Sequence, residues 1–305
     1  MSSEMQFDRL YHADCLARLG DLPAESVHAL ITDIPYGIGA EDWDVLHANT
    51  NSAYLGASPA QAKANGAFKR RGKPLNGWSA ADREIGKEYE TWCAEWLQLA
   101  YPALKPGASV LLFAGRRFSH RLMVALEDSG YTIKDQIAWI KPQALHRAQR
   151  LSVVYEKRAD EASAEEWQGW RLGNLRPRFE PIIWATKPYK IGTTIADNVL
   201  RYGVGAYNPD ALERFSRDSA NIFEVGMHRN EAKVHPTQKP LALMSALVEL
   251  VTKEEQVVLD PFAGSATTLV AAKAVGRRFI GFERERAYYE AATERLNATD
   301  PARLF

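Results

Sequence analysis

Of the 305 residues only two are cysteine, Cys15 and Cys93, which excludes a disulfide scaffold and a four-cysteine zinc site and suits a reducing cytosol. An excess of one charge is also missing: 38 Lys and Arg stand against 38 Asp and Glu, so no global basic field marks a nucleic-acid binder. Any such contact has to come from local patches. No apolar run is long enough to cross a bilayer, no secretory signal is visible, and no repeat of solenoid length recurs. The G-x-G-x-x-G pattern is absent, which disfavours a nicotinamide cofactor with its pyrophosphate cradle, and no step of the chemistry developed below calls for a metal. A chain of this length can bury one large α/β core plus an insertion, or two modest domains.

The most informative stretch is Val257-Val258-Leu259-Asp260-Pro261-Phe262-Ala263-Gly264-Ser265-Ala266-Thr267-Thr268. Three apolar residues, an acid, a proline and a glycine read as a buried strand entering a tight turn, with a helix from about Ala266. Pro261 has no amide hydrogen for a neighbouring strand, so the sheet stops there. The helix N-terminus offers free amides and a partial positive charge, and it is expected to run to Gly276, a good C-cap. Phe279-Ile280-Gly281-Phe282 is the next strand and ends on Glu283, roughly 20 residues past the turn, where a carboxylate accepts from ribose hydroxyls. Together these make a nucleoside-cofactor half-site; a plain strand-turn-helix capped by Asp260 is the alternative. A last helix is expected around Tyr288, Tyr289, Ala292 and Leu296, after which too little chain remains for a sheet. The other strands must come from earlier residues.

Near the start, Leu10 to Ala13 reads as a short strand ending at Asp14, followed by a short helix from Cys15 to Leu19. Val27 to Thr32 then forms a strand ending in Asp33-Ile34-Pro35-Tyr36-Gly37. Ligands of open parallel sheets sit beyond the carboxyl ends of strands where the winding reverses, so this turn and the Asp260 turn can line one crevice. An exocyclic amine on a nucleobase is a poor nucleophile because its lone pair is delocalised into the ring. The Asp33 carboxylate and a main-chain carbonyl near Ile34-Pro35 can each accept one amino hydrogen, favouring a pyramidal nitrogen and stabilising charge that develops there. Tyr36 would stack on a base turned out of its duplex. Alone, the tetrapeptide reads more readily as an ordinary strand-ending turn.

Asp-Pro-Phe-Ala-Gly-Ser resembles the S-adenosylmethionine-binding motif of the DNA amino-methyltransferases, and Asp33-Ile34-Pro35-Tyr36 resembles their Asp-Pro-Pro-Tyr catalytic motif. His235-Pro236-Thr237-Gln238-Lys239-Pro240 is similar to the segment that precedes their cofactor motif. The order, catalytic then cofactor, is the permuted arrangement called the β group. Two residues depart from the pattern: Ile34 replaces a proline and Ala266 a third glycine, and alanine is strained if that backbone needs positive φ. The resemblance implies a doubly wound, mostly parallel α/β sheet carrying an inserted target-recognition region. It also implies S-adenosyl-L-methionine as cofactor, held by Asp14, Thr237, Lys239, Asp260, Pro261, Phe262, Gly264, Thr267 and Glu283, with Asp33, Pro35 and Tyr36 as catalytic residues. A bare helix N-cap is the competing role for Asp14. Family members acting on the cytosine 4-amino group commonly carry serine in place of Asp33, so the expectation is methylation of the adenine 6-amino group in double-stranded DNA. Methylation at cytosine carbon 5 needs a cysteine nucleophile, typically after proline, whereas Cys15 follows Asp14 and Cys93 follows Trp92. A cofactor- or DNA-binding protein without catalysis, and a methyltransferase of RNA or of a protein amide, remain as alternatives.

Residues 39–81 lose periodicity and carry Lys69, Arg70, Arg71 and Lys73, expected either in a loop that meets phosphates or as a solvated charge run. Tyr89, Trp92, Trp96 and Leu99 recur at helical spacing and are expected in the core; Lys105-Pro106-Gly107 should end that helix before a strand from Ser109 to Phe113, and Tyr131 to Ile140 should form another. Between residues 142 and 180 the rhythm breaks, and Arg147 and Arg150, among basic and aromatic neighbours, are candidate DNA contacts. The expected division is 1–141 for the catalytic half, 142–234 for the target-recognition insertion with a return strand at 181–185, and 235–305 for the cofactor half. The remaining expectations are a bacterial or phage-encoded cytoplasmic protein, a monomer or homodimer, with no membrane contact and with a cognate restriction enzyme as partner.

Overall fold

The computed structural model describes residues 5–36, 80–144, 148–216, 220–227, 231 and 238–300, with side chains omitted at 80–83. Its strands are β1 (Arg9–His12), β2 (Val27–Asp33), β3 (Leu104–Phe113), β4 (Thr132–Ile140), β5 (Gln149–Arg150), β6 (Arg171–Leu172), β7 (Phe179–Thr186), β8 (Ile222–Glu224), β9 (Val257–Asp260) and β10 (Arg278–Glu283). Eight of them form one sheet in the order β1-β10-β9-β2-β3-β7-β4-β8, and β5 and β6 pair as a separate ribbon. All neighbours are parallel except β7, which runs against both β3 and β4. The expected doubly wound, mostly parallel sheet is present, and the expected return strand is β7.

Alternation along the strands explains the two layers. In β2, Val27 and Leu30 face one apolar cluster while Ala29 and Ile31 face the other; in β3, Val110 and Leu112 divide from Leu111 and Phe113 in the same way. The first layer is covered by the helices Ala80–Ala100 and Ser119–Asp128, which contribute Tyr89, Trp96, Leu97, Leu122 and Leu126. Leu99, expected with them, is at the surface. The second layer is covered by the helices Leu241–Val251 and Thr267–Ala274, both buried along almost their whole length, and by Ala292 and Leu296 of the helix Arg286–Ala298. A helix apolar all round is sandwiched, not merely laid on a surface.

One boundary differs from expectation. Lys105-Pro106-Gly107 lies inside β3, because Val27 opposes Leu104 while Ala29 opposes Ser109. The surplus residues form a bulge, where Pro106 has no ladder bond to lose and Gly107 takes φ +85°.

Leu30 of β2 stands opposite Leu259 of β9. From β9 the chain winds outward to β10, beyond which β1 closes that edge, and from β2 it winds the other way to β3. The carboxyl ends of β2 and β9 therefore flank the point where the winding reverses, and the crevice beyond them is where such sheets take ligands.

Candidate active site

The two sequence motifs meet in that crevice. Thr32 Oγ donates to Asp260 Oδ1 at 2.5 Å, joining the end of β2 to the end of β9, and the Phe262 amide donates to the same oxygen at 3.1 Å. Asp260 is fully buried, so its direct role is to shape the turn; burial pushes its carboxyl up to about 6 against the pull of Thr32, Thr268 and the Phe262 amide. Ala263 donates its amide to the Phe282 carbonyl at 2.9 Å, which docks the turn on β10. Gly264 has φ +51° and open space where a Cβ would stand. Ala266, at the N-cap of the helix Thr267–Ala274, has φ 57° and ψ 30°, the left-handed conformation that disfavours alanine. Ala266→Gly is expected to change stability by less than about 1 kcal/mol, because relief of about 1 kcal/mol of backbone strain is offset by the loss of a buried methyl. Ala266→Val, branched and overpacked in the same buried place, should cost about 3 kcal/mol in urea unfolding; a cost below about 1 kcal/mol would show that the backbone is not held there.

Glu283 ends β10 with both carboxylate oxygens on main-chain donors: Oε2 accepts from Gly264 N at 2.8 Å and Oε1 from Glu285 N at 2.7 Å. Burial raises its pKa. Each oxygen keeps a lone pair, so a fixed carboxylate faces the turn's open side as ribose hydroxyls require. Phe262 lies at the same mouth, its ring centroid 5.3 Å from Trp92 and 5.3 Å from Trp96, so the helix Ala80–Ala100 sets an apolar wall beside the turn. An anchored acid, an apolar ring and an unobstructed glycine fit a nucleoside-bearing cofactor. Asp14 caps the helix Cys15–Arg18 through Leu16 N at 2.9 Å, two residues beyond His12, which pairs with Glu283. The Thr267 hydroxyl turns inward, 3.1 Å from Ser265 Oγ and 2.8 Å from Arg295 Nη1. Pro261 follows Asp260 immediately past the end of β9.

On the catalytic side the carboxylate of Asp33 is half-buried at the tip of β2. Its Oδ1 accepts from the Tyr36 hydroxyl at 3.0 Å and its Oδ2 from the Lys239 ammonium at 2.6 Å. Lys239, implied by resemblance to belong to the cofactor set, is instead placed here, with its ammonium also 2.9 Å from Glu180 Oε1 and 3.2 Å from the Tyr36 hydroxyl. The single Tyr36 hydroxyl proton is shared between Asp33 Oδ1 and, in a short hydrogen bond, Glu180 Oε1, and Lys141 Nζ reaches Glu180 Oε2 at 2.9 Å. Ile34 is buried, filling the core where the family pattern has proline, and Pro35 follows it. Gly115 makes room for Tyr36: a Cβ there would stand 3.1 Å from the Tyr36 Cβ and Cγ.

The electrostatics of this cluster follow from who shares what. Burial pushes Asp33 up to about 6; Lys239 opposes the rise and Glu180 adds to it. Burial also pushes Glu180 upward, but Lys239 and Lys141 together outweigh it and leave that carboxyl at about 2. Burial disfavours the Lys239 ammonium, and its two carboxylates more than restore it. Tyr36 is held protonated by burial and by both acids. The cluster thus pushes the Asp33 carboxyl up and holds the Glu180 carboxyl down.

Glu180, Lys141 and Thr32 were not singled out by sequence reasoning. The available signal for Glu180 was a lone acid beside Pro181 in an otherwise apolar strand. Arg150 is exposed on β5 directly opposite Arg171 of β6, next to Trp170, which is 63 % exposed. Thr237, Lys69, Arg70, Arg71, Lys73 and Arg147 lie outside the described residues. Among the described residues no helix is long and apolar enough to cross a membrane.

Comparison with known proteins identifies the family. A family model described as DNA methylase, covering N6 and N4 enzymes, matches residues 27–294. The Type II methyltransferase M.HindIII of Haemophilus influenzae is 51 % identical over 294 residues, 95 % of each chain. Among solved structures, the M1.HpyAVI–SAM complex superposes with a TM-score of 0.54 at 22 % identity, covering 95 % of this chain and 98 % of that one. The PvuII DNA methyltransferase, described as cytosine-N4-specific, superposes with a TM-score of 0.61 at 16 % identity, covering 96 % and 88 %. At such identities the two structures show the fold alone. From the family match and the close relative, this chain belongs to the DNA methylase family of N6 and N4 amino-methyltransferases.

Proposed function

We propose that this DNA methyltransferase modifies the 6-amino group of adenine within a specific duplex sequence, by direct in-line transfer onto a base turned out of the helix. The observation that carries the reading is the Thr32–Asp260 bond, which sets the Asp33-Ile34-Pro35-Tyr36 turn beside the Gly264–Glu283 mouth. S-adenosylmethionine, the family's methyl donor, supplies an electrophilic methyl on a sulfonium. Glu283 holds the ribose end, with the Phe262 ring beside it. Asp33 and a carbonyl near Pro35 each accept a hydrogen bond from the amine and stabilise the positive charge that grows on nitrogen as the methyl–sulfur bond breaks. One amino proton then leaves by way of Asp33 to solvent and the other stays, so alignment and electrostatics lower the barrier and no covalent intermediate with the protein forms. Tyr36 offers its ring to the base.

Residues 142–234 are the proposed target-recognition region. Arg150 and Arg171, like charges directly across a two-stranded ribbon, repel one another unless an anion lies between them, and a DNA phosphate is the anion proposed. The Type II label of the 51 % identical relative makes a cognate restriction enzyme, in a bacterial cytoplasm, part of the same proposal.

The test is to express the protein in a methylation-deficient host, digest the genomic DNA to nucleosides and quantify methylated bases by mass spectrometry. New 6-methyladenine is expected. New 4-methylcytosine would keep the fold and the mechanism and overturn the reading of Asp33; neither product, from folded protein that binds S-adenosylmethionine, would overturn the activity.

The reaction should also fade in mild acid. With Asp33 needed as the anion and its pKa raised to about 6, kcat at saturating cofactor is expected to fall about tenfold per pH unit below 6. The fold should not fail with it. A carboxyl whose pKa is higher folded than unfolded takes up protons on folding, so Asp33 and Asp260 add stability as pH falls from about 6 toward 4, while Glu180, held at about 2, begins to subtract only below its unfolded value. Circular dichroism across the same range should stay flat while turnover drops.

A further inference from the structure

Asp33 Oδ2 accepts from the Lys239 ammonium, and Oδ1 shares the single Tyr36 hydroxyl proton with Glu180 Oε1. A target amine presented to this carboxylate would meet a charge already offset. Each of the two donors that must give way also touches Glu180 Oε1, so their alternative partner is in place before any movement. Lys239 and Glu180 are closed off from water, with side-chain exposures of 5 % and 11 %, so water cannot readily replace Glu180 in that role.

Resting on the reading of Asp33 as the amine's acceptor, we propose that Glu180 is a positioning residue that takes Lys239 and Tyr36 off Asp33 as the target amine arrives, uncovering the negative charge that the transfer uses. Glu180 does not itself reach the amine. With two carboxylates and two ammoniums, the cluster is neutral as a whole. When Lys239 moves wholly to Glu180, beside Lys141, the local balance becomes one net positive charge at Glu180 and one net negative charge at Asp33, where positive charge then develops on the base nitrogen. The reversed direction of β7 makes this possible: the first residues of that strand, not its last, lie at the edge where its parallel neighbours end.

The charged groups facing Asp33 are Tyr36 on its own turn, Lys239 ahead of the helix Leu241–Val251, Glu180 on β7, Lys141 after β4 and reaching Asp33 only through Glu180, and Asp260 on β9. Changing Glu180 and changing Lys141 should therefore act on Asp33 in opposite senses. Without the Glu180 charge, Lys239 answers to Asp33 alone and the acid limb of the pH–rate profile moves down. Without Lys141, Glu180 competes harder for Lys239 and the limb moves up.

The experiment compares full-length wild type, Glu180→Gln, Lys141→Met, Lys239→Met and the Glu180→Gln/Lys239→Met double variant. Single-turnover transfer from tritiated S-adenosylmethionine to genomic DNA of a methylation-deficient host is measured from pH 5 to 8, with cofactor affinity by calorimetry. Glu180→Gln should lose about 30-fold or more in rate with cofactor affinity within about twofold, and its limb should shift down by about one pH unit. Lys141→Met should shift the limb up. The double variant should be little slower than Lys239→Met, because with Lys239 gone only the Tyr36 hydroxyl, already bonded to Glu180, is left for Glu180 to hold. Glu180→Gln turning over within about threefold of wild type, limbs that stay put or shift the same way, or a double variant that multiplies the two losses would each overturn the proposal. Should Glu180→Gln fail to bind cofactor, the Lys141→Met limb decides alone. Asp33→Ala, run alongside, separates the failures: a normal Glu180→Gln with a dead Asp33→Ala removes only the role of Glu180, whereas normal rates in both remove the reading of Asp33 itself.

Discussion

Asp33→Ala is expected to lower turnover at saturating cofactor by about 10³-fold or more while S-adenosylmethionine affinity stays within a few fold. A single preorganised group aimed at developing charge is typically worth about 10²–10³ in rate, and here the group carries a full charge in a partly buried site. Cofactor binding should be spared because the proposed ribose anchor, Glu283, belongs to β10 and makes its bonds to Gly264 and Glu285, with none to Asp33. The fold is spared as well: a raised pKa means that burying this carboxylate opposes folding at neutral pH, and Lys239 keeps Glu180 as its counter-ion. Rapid-quench transfer measured beside calorimetric cofactor binding gives the two numbers. Turnover within tenfold of wild type would remove Asp33 from the chemistry.

Glu283→Ala should show the reverse split, with cofactor affinity reduced about 100-fold and much of kcat recovered when cofactor is raised to saturation. Two hydrogen bonds from ribose hydroxyls to a charged acceptor contribute about 1.5 kcal/mol or more each, and about 3 kcal/mol is about 100-fold. The same change frees the Gly264 and Glu285 amides, so a lower melting temperature without cofactor is expected too. Unchanged affinity would mean that the ribose is held elsewhere. An unrecoverable kcat at saturating cofactor would mean that the turn does more than bind.

The parts of this site that were legible in the sequence were those written locally. Val257 to Gly264 states its strand, its stop and its turn through apolar run, proline and glycine, and Asp33 to Tyr36 does the same after Val27 to Thr32. Ala266 was readable as a strained residue because φ is a property of one position, and the structure has it at 57°. Glu180 was not readable, since its role depends on which way β7 enters the sheet and on two lysines that approach from beyond β4 and from ahead of the helix Leu241–Val251. The reach of Lys239 was not readable either: its neighbours in sequence suggested the cofactor, and its long side chain extends to Asp33 at the end of β2. Pro106-Gly107 signalled a break but could not say whether the break lay between elements or within one, and the register against β2 decided it.

The pairing of β2 with β9 also has a temporal side. Thr32 and Asp260 are 228 residues apart, so on the ribosome the Asp33 turn emerges long before the strand that completes its crevice. Until then β2, apolar on both faces, has an open edge, and the nascent chain must keep that edge from pairing with another molecule. Every strand from β1 to β8 can be outside the exit tunnel before β9 arrives to complete the crevice. A chain cut before β9 therefore carries the Asp33 turn without the Asp260 turn that faces it.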